Sequence, residues 1–247
     1  MTMDISDDSI IGQIVAKNYA TAAIFNNYQI DFYCNGNKSI KTACIEHHIS
    51  LSTLIQELRT VLSVPLTENN VPDYNAWRLD MLAHYIEKKH HHYILEQAPR
   101  LHRHLNKITE IHGNKHPELM VIKRLFTLVI EELFLHMKKE EVMLFPYIRK
   151  MASAKDEGGR PPQPLFGDIG FPIEVMMAEH EQEGETFEKI ASLSRHYQAP
   201  EDACNTYKLT YATLKDFEED LHLHIHLENN ILFPKALSLA ERLKNNS

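Results

Sequence analysis

The sequence predicts an all-α protein: an up-down-up-down four-helix bundle preceded by a small helical N-terminal domain. Three observations carry that reading. Glycine is scarce, at 8 of 247 residues, and long stretches lack both Gly and Pro. Apolar residues recur at helical spacing, while the alternation that marks strands is absent. One pattern also occurs twice in register. His136-Met-Lys-Lys-Glu140 leads to Leu144-Phe145-Pro146, and His224-Ile-His-Leu-Glu228 leads to Leu232-Phe233-Pro234, each member displaced by 88 residues (224 − 136, 228 − 140, 234 − 146).

Residues 1–62 form the N-terminal domain, with three short helices over 9–62. Asp8-Ser9 caps the first and the Ser50-Leu-Ser-Thr run opens the third. Between the first two lies a turn-rich segment, Asp31-Phe-Tyr-Cys34-Asn-Gly36-Asn-Lys-Ser39. Residues 63–75, with Pro65 and Pro72, read as a linker, and 76–247 as the bundle. Its first helix, 76–111, carries the stripe His84, Glu87, His91, Ile94, Ala98, Leu101, Leu105 and Ile108, kinked at Pro99. The second, 117–152, starts at Pro117 and turns Leu125, Val129, Leu133, His136, Glu140 and Met143 inward. Gly158-Gly159, Pro161-Pro162 and Pro164 make 153–171 a loop. The third helix, 172–197, presents Ile173, Met176, His180, Gly184, Phe187 and Ile190. The fourth, 201–242, presents Tyr207, Leu214, Phe217, Leu221, His224, Glu228 and Ile231. Four helices on mostly short connections alternate in direction.

Composition removes several classes of function. A formal charge of −8 argues against nucleic acid as a partner, since phosphate binding needs a basic patch. No apolar run is long enough to span a membrane. The acidic, polar start (Met1 to Asp8) does not read as a signal peptide, so the expected compartment is the cytoplasm. Three cysteines cannot make a disulfide framework and suit a reducing environment. Histidine is the outlier, with 16 residues concentrated over 84–136 and 180–226, a supply of imidazole for metal ligation.

A His and a Glu four apart lie on one helix face. An ionised carboxylate on an apolar stripe costs several kcal/mol unless it is compensated. No basic residue recurs on the inward faces, so a cation is the expected partner of Glu140 and Glu228. Two such pairs facing each other form a dinuclear metal box. Each half then gives one His from its first helix and a His-x-x-x-Glu from its second: His91, His136 and Glu140, then His180, His224 and Glu228. Neighbouring histidines cannot all point inward; the stripe selects His91, and only His224 has Glu at i+4. His90, His92, His222 and His226 are expected on solvated faces, and His84 as a core histidine or as a support behind the metal ligands. Imidazole and carboxylate suit iron, ahead of manganese or zinc. Six side chains leave two octahedral ions short of full coordination, which points to small-molecule chemistry or metal exchange. Gly184, at i+4 from His180, either opens a path to the metals or serves helix packing.

Together these motifs resemble a known family. His90-His91-His92-Tyr93 ahead of Gln97-Ala-Pro99, His112-Gly113, Glu131-Glu132…His136-Met-Lys-Lys-Glu140-Glu-Val-Met-Leu-Phe-Pro146, Glu179-His180-Glu181 and His224…Glu228-Asn-Asn-Ile-Leu-Phe-Pro234 resemble a hemerythrin-like domain. The whole chain, over about 9–236, is similar to the di-iron proteins that repair iron–sulfur clusters (the RIC family, ScdA/YtfE type). The resemblance implies two non-haem irons on the same six residues, with Glu140 and Glu228 as bridges and an oxo bridge between the ions. It places Glu132 and Glu179 beside the site, as supporting or proton-handling groups. The family's paired cysteines are reduced here: Tyr33 replaces one and Cys34 keeps the other, either as a reactive thiol or as an inert residue. The implied activity is restoration of clusters damaged by nitrosative or oxidative stress, by supply of iron. Reduction of nitric oxide to nitrous oxide and oxygen binding or sensing are the alternatives. The partners expected are damaged iron–sulfur proteins, the diatomic ligands NO and O2, and a second copy of the chain as a homodimer, with no nucleic acid and no membrane.

Overall fold

The computed structural model describes residues 5–64, 72–159, 163–164 and 166–245, and the expected linker and interhelical loop fall partly outside them. Among the described residues the secondary structure is helical apart from one isolated bridge, Ile10 to Ser39. The N-terminal part holds four helices where three were expected: α1 (Ile11–Lys17), α2 (Ala22–Asn27), α3 (Ile40–Glu46) and α4 (Leu51–Leu62). The additional helix lies before the turn-rich segment, after a 3-10 turn at Tyr19–Thr21. Ser50 caps α4 by accepting from the Thr53 N–H, as expected, and Ser39 does the same for α3 through Thr42. The expected Asp8-Ser9 cap is not made. Ile10 occupies the N-cap of α1 without a side-chain bond, and the Ser9 hydroxyl accepts from the Ser6 N–H instead.

Seven further helices build the bundle: α5 (Leu79–Ile86), α6 (His92–His112), α7 (Glu118–Lys139), α8 (Phe145–Glu157), α9 (Gly170–Leu193), α10 (Asn205–Leu227) and α11 (Phe233–Asn245). Three π-turns splice them into longer rods: Glu87–His91 joins α5 to α6, Glu140–Leu144 joins α7 to α8, and Glu228–Leu232 joins α10 to α11. The last two repeat at the 88-residue displacement and share a cause. Pro146 and Pro234 come second in α8 and α11, where a proline ring would press on the carbonyl four residues back; a widened turn relieves it. Pro99, by contrast, sits inside α6 without ending it.

Each π-turn inserts about one residue and rotates what lies beyond it by about 100°. Two sequence expectations fail for that reason. His84 is exposed rather than core, because a π-turn separates it from His91. Met143 is 46% exposed, and Leu144 takes the inward place.

Two apolar cores lie along the rods. One gathers Leu101, Leu105, Phe126, Leu133, Phe187, Leu214 and Phe217 from α6, α7, α9 and α10. The other gathers Leu82, Ile86, Ile148, Ile173, Ile231 and Ala236 from the α5, α8 and α11 end. On every rod the stripe passes from one core to the other through the His/Glu residues. The N-terminal helices keep their own core around Ile11, Phe25, Phe32, Leu54 and Leu58.

The N-terminal turn docks on the π-turn of the last rod. The Asn230 amide donates to the Phe32 and Tyr33 carbonyls at 3.2 Å, and the Asn229 amide to the Tyr33 carbonyl at 3.2 Å. Gly12 and Gly36 allow that approach, through a 2.7 Å bond from the Gly12 N–H to the Gly36 carbonyl. A Cβ on Gly36 would stand 2.5 Å from both the Phe32 carbonyl oxygen and Asn230 Oδ1. Gly36→Ala is therefore expected to destabilise the protein by about 1–3 kcal/mol through overpacking. Urea unfolding measures this; an unchanged midpoint would show that the junction is not tight.

Candidate metal centre

Between the two cores, His91, His136, Glu140, His180, His224 and Glu228 are all 0–1% exposed. Two groups of four ligand atoms, each lying within 4.8 Å of one another, come from these six: His91, Glu140, His224 and Glu228, and then His136, Glu140, His180 and Glu228. Both glutamates belong to both groups. The imidazoles meet edge to edge, with Nε2 of His91 and His224 3.2 Å apart and Nε2 of His136 and His180 3.0 Å apart.

The protein does not satisfy this arrangement by itself. Both oxygens of Glu140 and Oε2 of Glu228 are buried without a hydrogen bond, although imidazoles approach Glu140 Oε2 at 3.4 Å and Glu228 Oε2 at 3.1 Å. Burial works against the ionised form of both carboxyls, and Glu228 repels Glu140. The surrounding imidazoles outweigh this and hold both below the usual carboxylate range, Glu228 the further. Four imidazole nitrogens and two anionic carboxylates converging on one dry space are a donor set for cations. Among the described residues, the ion-pair partners of Glu140 and Glu228 are histidines, with no lysine or arginine.

The outward nitrogens of the imidazoles are anchored in a pattern that follows the repeat. His91 Nδ1 bonds Glu141 at 2.9 Å, and His180 Nδ1 bonds the Asn229 side-chain oxygen at 2.8 Å. Glu141 and Asn229 each follow a box glutamate by one residue. His136 Nδ1 bonds Glu179 at 2.9 Å; that imidazole first, then Lys139, which also contacts the carboxylate, holds Glu179 at about 2 against partial burial. The fourth, His224, breaks the pattern: its Nδ1 has no partner, and the His90 ring lies parallel to it at 5.8 Å. Proton donation from Nδ1 leaves the Nε2 lone pair facing the box. The phenylalanines of the two Leu-Phe-Pro motifs flank related imidazoles, Phe145 parallel to His91 at 5.6 Å and Phe233 parallel to His180 at 6.1 Å.

Several expectations change here. Glu132 is exposed on α7 and is not brought to the box. His92 is solvated as expected, but His90 and His226 are 0% and 1% exposed and His222 is half-buried. His90 bonds Asp220 at 3.0 Å. His222 stacks on Tyr33 at 3.8 Å, and His226 packs on Tyr19 and Phe32. Burial lowers both His222 and His226 to about 3, so each is a neutral ring. The N-terminal helices cover the face that the bundle sequence alone assigns to solvent. Sequence reasoning also missed Glu141, Asn229, Phe145, Phe233 and the buried Glu183, although the first four sit inside the repeat.

Cys34 lies half-buried against the site, its thiol donating to the His180 carbonyl at 3.2 Å. Burial, then Asp31, pushes the thiol up, away from thiolate chemistry. A Cβ on Gly184 would stand 3.3 Å from Cys34 Sγ and from the Tyr33 ring, so this glycine accommodates the N-terminal turn. Tyr33, Cys34, Gly184, Glu218 and His222 line part of a cavity of about 710 Å³.

Comparison with known proteins follows the same outline. The family model of the hemerythrin HHE cation-binding domain matches residues 82–236. A second model, ScdA_N, described as a domain of unknown function, matches residues 7–62. The iron–sulfur cluster repair protein ScdA of Staphylococcus haemolyticus is 31% identical, covering 94% of this chain and 99% of its own. The repair protein YtfE of an Enterobacter species is 30% identical (94% and 97%), and YtfE of Yersinia pseudotuberculosis 32% (95% and 99%). Among the described residues no helix is long and apolar enough to cross a membrane.

Two outcomes are expected of the purified protein. Stripping metal with a chelator should lower the thermal midpoint, because Glu140 and Glu228 are left as buried like charges; calorimetry with and without chelator tests this, and equal midpoints would contradict a metal box. The second concerns Glu218. Burial lifts its carboxyl to about 7, the Tyr197 hydroxyl pulls it down, and Glu219 and Glu188 push it up. Between its ordinary 4.5 and about 7 the folded chain binds more protons than the unfolded one, so stability falls as pH rises through that window. Glu218→Gln should flatten this slope, which is at most about 1.4 kcal/mol per pH unit, in denaturant titrations at stepped pH.

Proposed function

The chain belongs to the hemerythrin HHE cation-binding family and, with it, to the iron–sulfur cluster repair proteins it matches along nearly its whole length; from that premise we propose that it holds two iron ions in the buried box and supplies iron to damaged iron–sulfur clusters. The observation that carries this reading is the pair of four-residue groups with Glu140 and Glu228 in common. His91 and His224 would hold one ion and His136 and His180 the other, with the two glutamates shared between the groups.

Iron is here the cargo. The ligand set contains imidazole and carboxylate and no thiolate, whereas a vacant cluster site offers thiolate and sulfide. Softer sulfur donors favour iron in a cluster, so transfer from box to cluster runs down a gradient of ligand softness. The protein's own part is to hold and to release. Glu141, Glu179 and Asn229 fix the imidazoles through Nδ1, and Phe145 and Phe233 keep the site dry. The three free cysteines accord with a cytoplasmic setting. Nitric oxide reduction and oxygen binding would draw on the same six ligands, and no separate feature of the structure favours either. The N-terminal turn packed beside the box favours repair, since that region matches the ScdA_N domain.

The test is transfer. Iron-loaded protein mixed with a [4Fe–4S] dehydratase stripped of its cluster, with sulfide and thiol present, should restore dehydratase activity faster than an equal amount of free ferrous iron. Glu140→Ala and Glu228→Ala should lose most of their iron on desalting and give no restoration. Recovery no better than with free iron would overturn the proposal.

A further inference from the structure

Glu183 has no place in the account above. It stands three residues after His180 on the buried face of α9, is 2% exposed, and neither of its oxygens has a hydrogen-bond partner. Among the described residues, three carboxylates have buried oxygens in that condition: Glu140, Glu228 and Glu183. The protein satisfies neither protonation state. Ionised, the group is an uncompensated buried charge; neutral, it still has an O–H without an acceptor.

Its surroundings are specific to one side of the box. The strongest charges acting on it are those of His136, His180, Glu140 and Glu228, the four members of one of the two ligand groups. On the other side, the residue three after His91 is Ile94, apolar and 1% exposed. The internal repeat that duplicates the ligands therefore supplies a third carboxylate to one half and a hydrocarbon to the other.

We propose that Glu183 is a further metal ligand, reserved for the ion held by His136 and His180, so that the two metal positions are chemically unequal. The inference rests on the dinuclear reading of the box. Glu183 lies outside the 4.8 Å grouping of the other four ligand atoms, so it engages the ion by turning its own side chain, with no hydrogen bond to break. The ion beside it is bound by one more anionic oxygen and leaves slowly. The ion held by His91 and His224 keeps its free coordination position, leaves first, and is the one that meets an added ligand such as azide.

The experiment uses the full chain loaded with iron-57, read by Mössbauer spectroscopy and by the time course of iron removal with a ferrous chelator. The wild-type protein should give two unequal quadrupole doublets and biphasic release. Glu183→Ala, and Glu183→Ile as a copy of the Ile94 side, should bring the doublets together and speed the slow phase by at least about tenfold. Glu183→Gln keeps the packing and removes the anionic ligand; it should behave as the other two do, and it decides the matter if they fail to fold. Identical spectra and release in wild type and Glu183→Gln, with two irons in each, overturn the role of Glu183 alone. A wild-type chain that retains fewer than two irons overturns the dinuclear box and this inference with it.

Discussion

Glu140 and Glu228 lie fully buried, are shared by both ligand groups, and repel each other. Two like charges removed from water cost several kcal/mol each before their mutual repulsion is counted. Imidazoles offset part of that cost, and bound cations would offset the rest. Much of the local architecture answers this one constraint. Four imidazole edges converge on the pair, four helical rods deliver them, and apolar packing above and below keeps water from dissolving the arrangement. The anchors behind the imidazoles then keep the lone pairs pointed inward.

The sequence made much of this visible because the site is written twice. A single His-x-x-x-Glu on an apolar stripe says little, but two at an 88-residue displacement, each followed by the same Leu-Phe-Pro, name four of the six box residues and the rods that carry them. His91 and His180 followed from the stripes of the partner helices. What periodicity could not reveal was the change of phase at each π-turn. An ideal helix extrapolated backward from His91 puts His84 inside, and one extrapolated forward from Glu140 puts Met143 inside; one inserted residue turns both out to solvent. The proline six residues after each glutamate was the clue to two of the three π-turns.

A second failure has a tertiary origin. His90, His222 and His226 look like the polar face of an amphipathic rod, but His90 is buried among the bundle's own Tyr85, Asp220 and His224. The N-terminal helices cover the faces of His222 and His226, as Tyr33, Phe32 and Tyr19 pack against those rings. The segment that carries Tyr33 is thus the one that seals the bundle. Tyr33 stacks on His222 there, and the Cys34 thiol donates to the His180 carbonyl.

Asn229 joins these two themes in a single side chain. Its oxygen accepts from the His180 ring and its nitrogen donates to the Tyr33 carbonyl, 196 residues away in sequence. A newly made chain therefore cannot orient that imidazole until its last helices have been synthesised and have closed over its first. Iron met earlier, on the ribosome, would find loose histidines rather than a finished chelate. Loading of the proposed box is in this way deferred to the completed fold.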